Sequence, residues 1–404
     1  MAFSFLKDAL HQRQQQGLLR QEQCVERYDA QHIVIGGKRY LNFSSNDYLG
    51  LASLPTPDAL HHLPKGSGGS PLVTGFSYHH QALCDYLATS LKREAVLLLG
   101  AGFSANKAIM SVLGSQKGMR IVADKLAHAS IIDGGLASDA TFKRFRHNDV
   151  AHCEKLMQAE STSPSAVLDT EKVEKNRGNR KNHTLVVTES VFSMDGDKAP
   201  VPALSALCQE NQAALCVDDA HGFGVLGQQG FGVTELHDLT QSNLPILMGT
   251  FGKAIGTGGA FIAGSQALID YLRNFSRDYI YSTAFSPFHA ALTLHHLKQC
   301  RQDAWRREKL AENIAVFKNE MATIHAGQVS LLPSDTAIQP VIIGEPEKAL
   351  TVATSLRESG FWVTAIRQPT VPKGTDRLRI TLTASHQASD IVALVNQIKA
   401  ICTA

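Results

Sequence analysis

The chain has 404 residues, 44% of them hydrophobic and 19% charged, with a formal net charge of +2; this allows two or so domains with sizeable cores and excludes a disordered or fibrous polymer. The near-neutral balance gives no ground for a nucleic-acid or membrane partner, and no apolar run approaches bilayer length. Seven scattered cysteines without a C-x-x-C pair (Cys24, Cys84, Cys153, Cys208, Cys216, Cys300, Cys402) argue against a disulfide framework or structural zinc, so a cytoplasmic enzyme without a metal is expected.

In chain order, "MAFSFLKDALHQRQQQ" has no signal-peptide layout and reads as an amphipathic helix. Further on, "EAVLLLG" (94–100) leads into "FSANKAIMSVLG", and "RIVAD" (120–124) into "AHASIIDGGLA". "TLVVTES" (184–190), "AALCVDDA" (213–220) and "PILMGTF" (245–251) continue the series. Strands alternating with helices predict an α/β fold around a mainly parallel sheet, with ligands beyond the strands' carboxyl ends. The polar stretch 161–183 reads as a solvated, mobile loop. From 287 to 327 the pattern is helical, and strand-like pieces ("AIQPVIIG", "FWVTAIR", "RLRITLTA") interleaved with one helix then give a smaller α+β domain. The expected division is an N-terminal helix and strand segment (1–50), a large domain (51–286) and a small C-terminal domain (287–404).

The residues with chemical potential fall at the strand ends. Gly102 and Phe103 follow a buried strand just before a helix that opens around Ser104, where main-chain N–H groups and the helix dipole suit an anion; a tight turn needing glycine is the plainer alternative. Asp218 and Asp219 end another strand, with His221 after them. Gly222, Gly224 and Gly227 spell G-x-G-x-x-G, but "QQGFGVTEL" is a poor helix and the next strand carries no acid, which speaks against a dinucleotide site and a nucleotide-dependent oxidoreductase. His128 follows a third strand, and Glu189, Ser193 and Asp195 a fourth. Singly, each of these is as readily a turn or structural residue. Arg377 and Arg379 share one face of an apolar strand, which suggests a carboxylate partner or an inter-domain salt bridge. Nucleophile-elbow, P-loop and H-E-x-x-H motifs are absent.

The stretch "MGTFGKAIGTGGAFI" (248–262) sets one lysine, Lys253, among glycines and apolar residues. A surface loop, a phosphate cradle and a covalent amine are the readings open to it. An aldehyde cofactor carrying a phosphate and a pyridine ring would employ every one of these constellations. Lys253 then forms the Schiff base, Gly102, Phe103 and Thr250 hold the phosphate, and Asp218 pairs with the ring nitrogen.

"NFSSNDYLGL", "GSGGSPLVTGFSYHHQAL", "GFSANKA", "ADKLAHASIIDG", "RHNDV", "TESVFSMDGDKAPV", "VDDAHGFGVLG", "TFGKAIGTGGA" and "YIYSTAFSP" span nearly the whole chain. These segments resemble the α-oxoamine synthases, pyridoxal-phosphate enzymes of the aspartate-aminotransferase-like fold (fold type I) with a seven-stranded sheet. The resemblance implies a pyridoxal 5'-phosphate cofactor on Lys253, with His128 stacked on its ring, Asp218 at the pyridine nitrogen, and His221 and Ser193 near the phenolic oxygen. It implies phosphate contacts from Gly102, Phe103 and Thr250, joined by Ser282 or Thr283 of a second subunit. Arg20, Asn46 and Thr370 match positions near the substrate, and Arg379 the one that receives the amino acid's carboxylate. A homodimer with shared active sites is implied as well.

"WVTAIRQPTVPKGTDRLRITLTASH" and the compact N-terminus most resemble the members that join L-alanine to a pimeloyl thioester, carried by acyl carrier protein or coenzyme A, in biotin biosynthesis. The alternative is a sister enzyme using glycine, of the 2-amino-3-ketobutyrate ligase or 5-aminolevulinate synthase type. Three departures from the family stand away from this chemistry: the 161–183 insertion, a shortened 56–65, and Cys84 where an acid is common.

Overall fold

The computed structural model describes residues 3–158, 183–323 and 329–403, so nearly all of the polar 161–183 stretch lies outside the described residues. Three short strands, β1 (Arg27–Tyr28), β2 (His32–Ile35) and β3 (Lys38–Asn42), begin the chain's sheet structure. Ahead of them runs the expected N-terminal helix, Phe5–Gln15, none of whose residues is buried.

The large sheet follows, and its members come from the short aliphatic runs. They are β4 (Ala95–Leu99), β5 (Met119–Asp124), β6 (Thr141–Phe145), β7 (His183–Glu189), β8 (Ala214–Asp218), β9 (Ile246–Thr250) and β10 (Ala260–Gly264). Their order is β4-β10-β9-β8-β7-β5-β6, and only β10 runs antiparallel to its neighbours. This is the mainly parallel α/β sheet expected from the strand pattern, with the seven strands that the family resemblance implies. Every residue of β4, β9 and β10 is buried, as a sheet covered on both faces requires. Alternation along β4 sends Val96 and Leu98 into one core cluster and Leu97 and Leu99 into the other.

Four strands in the last third complete the fold with a fifth: β11 (Ser330–Leu331) and β12 (Ile338–Gly344) precede the helix Pro346–Glu358, and β13 (Phe361–Trp362), β14 (Thr364–Ile366) and β15 (Asp376–Thr381) follow it. A second sheet has the order β11-β12-β15-β14, and β13 pairs in parallel with β3 to join the N-terminal ribbon to this end of the chain. The helical stretch from 287 is two helices, Pro287–Gln302 and Ala304–Met321, parted at Asp303. Among the described residues no helix is long and apolar enough to cross a membrane, and no group of three or more side chains could hold a metal ion.

Because β5, β7, β8 and β9 are parallel, Asp124, Glu189, Asp218 and Thr250 end on one edge of the sheet, where ligands bind in such folds. A three-way ion cluster ties the loops at this edge together. The two ring nitrogens of His147, just past β6, lie 3.0 Å from Asp124 Oδ1 and 2.8 Å from Asp197 Oδ2. Only an imidazolium can donate to both carboxylates. Burial alone would lower the His147 pKa, but the two carboxylates outweigh it and raise it to about 10. A pKa raised above its unfolded value stabilises the fold fully below about pH 6.5, and that contribution is lost as the pH climbs through about 10. Replacing His147 by alanine is expected to cost about 3 kcal/mol near neutral pH, because two half-paired carboxylates remain. In urea unfolding at fixed protein concentration, the gap between wild type and His147→Ala should narrow steadily from pH 7 to pH 10; a gap independent of pH would remove the imidazolium from the account.

Candidate active site

A helix N-terminus and the Thr250 side chain meet at the ends of β4 and β9. The helix Gly102–Gly114 begins directly after β4, and its N-cap, Ala101, offers no side-chain cap. Intrahelical bonding starts with Ala105 N–H donating to Ala101 O at 3.1 Å, so the first-turn N–H groups point outward without helical partners. A Cβ built on Gly100 would meet nothing within 4 Å, and one on Gly102 would stand 3.7 Å from Thr250 Cβ. The space over this helix end is therefore open, with the Thr250 side chain at its wall. The sequence placed the helix start near Ser104; glycine at 102 extends it by two residues.

Lys253 follows β9 by three residues. Desolvation is the largest influence on its amine and lowers its pKa to about 8, against the opposing fields of Asp218 and Glu189. Arg379 adds to the lowering. Among the described salt bridges Lys253 has no carboxylate within ion-pair distance, so its amine is desolvated without being locked into a pair.

Asp218 ends β8 and is 5% exposed. Asn106 Nδ2 donates to its Oδ2 at 2.7 Å, and the Ala220 N–H donates to Oδ1 at 2.9 Å. Beside it, Glu189 ends β7 with a carboxyl whose pKa burial pushes well up, helped by the Asp218 charge. The His128 main-chain N–H is a partner of this carboxyl, while its Oε1 is buried without one. His128 caps the helix Ala129–Leu136 through its own ring, and burial holds its imidazole below the usual histidine range. Phe103 meets that ring edge-on, with centroids 6.2 Å apart.

His221 is buried, and desolvation with the positive fields of Lys253 and Arg379 keeps it neutral. Its Nδ1 lies 2.7 Å from Tyr48 Oη. Tyr48 Oη donates to Asn46 Oδ1 at 3.2 Å, and Arg379 Nη2 donates to the same oxygen at 3.2 Å. Arg379 Nε also donates to the Ser193 carbonyl at 2.6 Å. Arg377, on the same face of β15, donates to Asp195 Oδ1 at 2.8 Å, so the salt bridge considered for this pair belongs to Arg377. The core clusters take up Leu378 and Ile380, the alternate residues of this strand.

The fields these groups exert on one another place Lys253, Asp218, His128, His221 and Arg379 in one site, with Asn46 bonded to Arg379, Ser193 contributing its carbonyl, and Gly102, Phe103 and Thr250 at the open helix end. Arg20 and Thr370 are exposed and not part of this hydrogen-bonded network. Their neighbours Gln14, Gln15, Gln16, Gly17 and Leu18, with Arg367, Gln368, Pro369 and Val371, line a separate cavity of about 790 Å³. Ser282 and Thr283 are exposed near Gly100, on the rim of a small cavity. Sequence reading passed over Tyr48, Asn106 and Ser130, although "NDYLG", "GFSANKA" and "AHAS" contain them. The Gly222–Gly227 segment opens no dinucleotide helix: it is a run of turns before the four-residue helix Val233–Leu236. A Cβ on Gly222 would fall 2.1 Å from Asp219 Oδ1, which explains the glycine as tight packing.

The residues present fit pyridoxal 5'-phosphate: an open helix N-terminus for the phosphate, a buried carboxylate for the pyridine nitrogen, and a desolvated amine for the aldehyde. Residues 38–398 match the aminotransferase class I and II family. The chain is 43% identical over 371 residues to the 8-amino-7-oxononanoate synthase of Aliivibrio fischeri (strain MJ11), spanning 91% of this chain and 90% of that one. Its fold superimposes on an SPT structure containing PLP with a TM-score of 0.86 at 26% identity, over 99% of this chain and 97% of the other. The 8-amino-7-oxononanoate synthase of Francisella tularensis matches with a TM-score of 0.71 at 27% identity, over 89% of this chain and 97% of the other.

Proposed function

This chain belongs to the aminotransferase class I and II family, and we propose that its site carries out the decarboxylative condensation of L-alanine with a pimeloyl thioester to 8-amino-7-oxononanoate, the carbon-skeleton step of biotin biosynthesis. The products besides the amino-ketone are carbon dioxide and the free thiol. The observation that carries the chemistry is the amine of Lys253, desolvated to a pKa of about 8 beside the buried carboxylates of Asp218 and Glu189. Choice among related reactions rests on identity: 43% to a synthase of this specificity, against 26% to SPT despite the closer superposition.

When bound, pyridoxal 5'-phosphate supplies an aldehyde for the amino group and a protonated pyridine ring that accepts the electron pair released at Cα. Lys253 is the residue that holds it, and as a free base the same amine takes the Cα proton of the amino acid. The carboxylate of Asp218, kept in place by Asn106 and the Ala220 N–H, holds the proton on the ring nitrogen. His221 and Ser193 border the ring's phenolic side, and Thr250 with the 102–103 turn receives the phosphate. His128 covers the ring and faces the thioester carbonyl, whose oxygen gains charge as the new carbon–carbon bond forms.

Arg379 receives the amino acid's carboxylate, oriented by the Ser193 carbonyl and Asn46. Arg379→Lys keeps the charge but loses the planar fork, so the KM for L-alanine should rise about 10- to 100-fold with a smaller change in kcat. An unchanged KM would place the carboxylate elsewhere.

Arg20 and Thr370 are assigned to the pimeloyl end, beside the cavity their neighbouring segments share. A homodimer accounts for the apolar surface on the 71–78 segment, where Val73 is 77% and Tyr78 80% exposed. In the dimer Ser282 or Thr283 of the second copy reaches the phosphate. The division into 1–50, 51–286 and 287–404 is retained, with the first segment attached to the last through β3 and β13. The reading is tested by comparing L-alanine with glycine as partners of pimeloyl and of shorter acyl thioesters: kcat/KM should be highest for alanine with pimeloyl, and a preference for glycine would assign the chain to a sister activity.

A further inference from the structure

The face of His128 turned away from the site holds a hydrogen-bond chain whose directions can be worked out atom by atom. The chain starts at Asp218, whose carboxylate only accepts. The atom of Asn106 placed 2.7 Å from Asp218 Oδ2 must therefore be the amide nitrogen, and Asn106 is 1% exposed, so water does not alter that choice. The second hydrogen of the same Nδ2 goes to Ser130 Oγ at 3.0 Å. Ser130, fully buried, then has its own hydroxyl hydrogen left to give, and the remaining partner of its Oγ is His128 Nδ1 at 2.7 Å. The Ser130 main-chain N–H donates to the same Nδ1 at 3.2 Å. Two donors converge on one ring nitrogen, which must be bare. A neutral imidazole with a bare Nδ1 carries its hydrogen on Nε2.

We propose that Asn106 and Ser130 are positioning residues that hold His128 in the tautomer protonated at Nε2, so that it offers an N–H to the thioester carbonyl. The burial that keeps His128 neutral supports this, since an imidazolium would put a hydrogen on Nδ1 against two donors. The inference rests on the functional reading above only for what the N–H meets; the tautomer itself follows from the donor count. It also links two parts of the site: the carboxylate at the ring nitrogen and the imidazole over the ring share one amide, Asn106. Asn106 Oδ1 is buried without a partner, yet reversing the amide would set that oxygen against the Asp218 carboxylate. The unsatisfied oxygen is the cost of a fixed direction.

The test is histidine-selective ¹⁵N labelling of the holoenzyme, with ring nitrogens read by long-range ¹H–¹⁵N correlation and His128 assigned by its loss in His128→Gln. Wild type is expected to show Nδ1 unprotonated and Nε2 protonated. Ser130→Ala should move both shifts toward a tautomer average and lower kcat with a pimeloyl thioester about tenfold, with cofactor retention and the KM for L-alanine unchanged. A wild-type proton on Nδ1 overturns the proposal, as does Ser130→Ala with unaltered ring shifts. If Ser130→Ala fails to hold cofactor, the wild-type tautomer still decides, and Asn106→Ala serves as the second variant. Should the wild type turn over no pimeloyl thioester while its ring shifts are as expected, the functional reading fails and the relay stands.

Discussion

Lys253→Ala is expected to lower turnover by about four orders of magnitude, because a single amine both anchors the cofactor and moves the Cα proton. Borohydride should fix the cofactor to the Lys253 peptide in wild type, whereas the variant should release it on dialysis. Uptake provides a second readout from the same group. Desolvation lowers the amine's pKa to about 8, so the rate at which cofactor-free protein takes up pyridoxal 5'-phosphate should rise with pH up to about 8 and level off above it. A Lys253→Ala enzyme that retained turnover and borohydride-fixable cofactor would displace this residue from the account.

Asp218→Asn carries the next largest expected loss, about 10²–10³ in kcat, since an asparagine cannot hold a proton on the ring nitrogen. The substitution nearly conserves shape, and its single amide oxygen can still accept from one of the two donors, Asn106 or the Ala220 N–H, so the protein should fold and keep bound cofactor. A normal urea midpoint with a large fall in kcat and a small change in KM for L-alanine separates electronic loss from structural loss. A variant with near wild-type kcat would assign the ring nitrogen a different partner.

How much of this was legible in the sequence depended on the kind of signal. The buried parallel strands could be read because sheets covered on both faces demand short, continuous aliphatic runs, as in β4, β8 and β9. The edge strand β6 was missed because "TFKRF" is mostly polar, with Lys143 and Arg144 exposed and Phe145 buried, and resembles a loop between helices. β10 was missed because it follows a glycine-rich turn and runs antiparallel in a sheet read as parallel. Lys253, Asp218 and His221 stood out as charged or titratable residues at the ends of apolar strands. Tyr48, Asn106 and Ser130 did not, because a buried neutral polar side chain looks like any turn or helix residue until its partners are known. The pairing of Arg377 with Asp195 and of Arg379 with the Ser193 carbonyl is likewise a matter of two residues' difference in register along β15, visible only once the loop after β7 is packed against it. The N-terminal ribbon joined β13 through a pairing of residues far apart in the chain, Leu41 with Phe361, which no local pattern encodes.

The central claim is tested most directly by product identification from L-alanine carrying ¹³C at its carboxyl carbon and a pimeloyl thioester, offered in turn on acyl carrier protein and on coenzyme A. The expected result is release of the label as carbon dioxide and an unlabelled product with the mass of 8-amino-7-oxononanoate. Label retained in the product, or no condensation with either thioester while glycine and another acyl donor react, would contradict it.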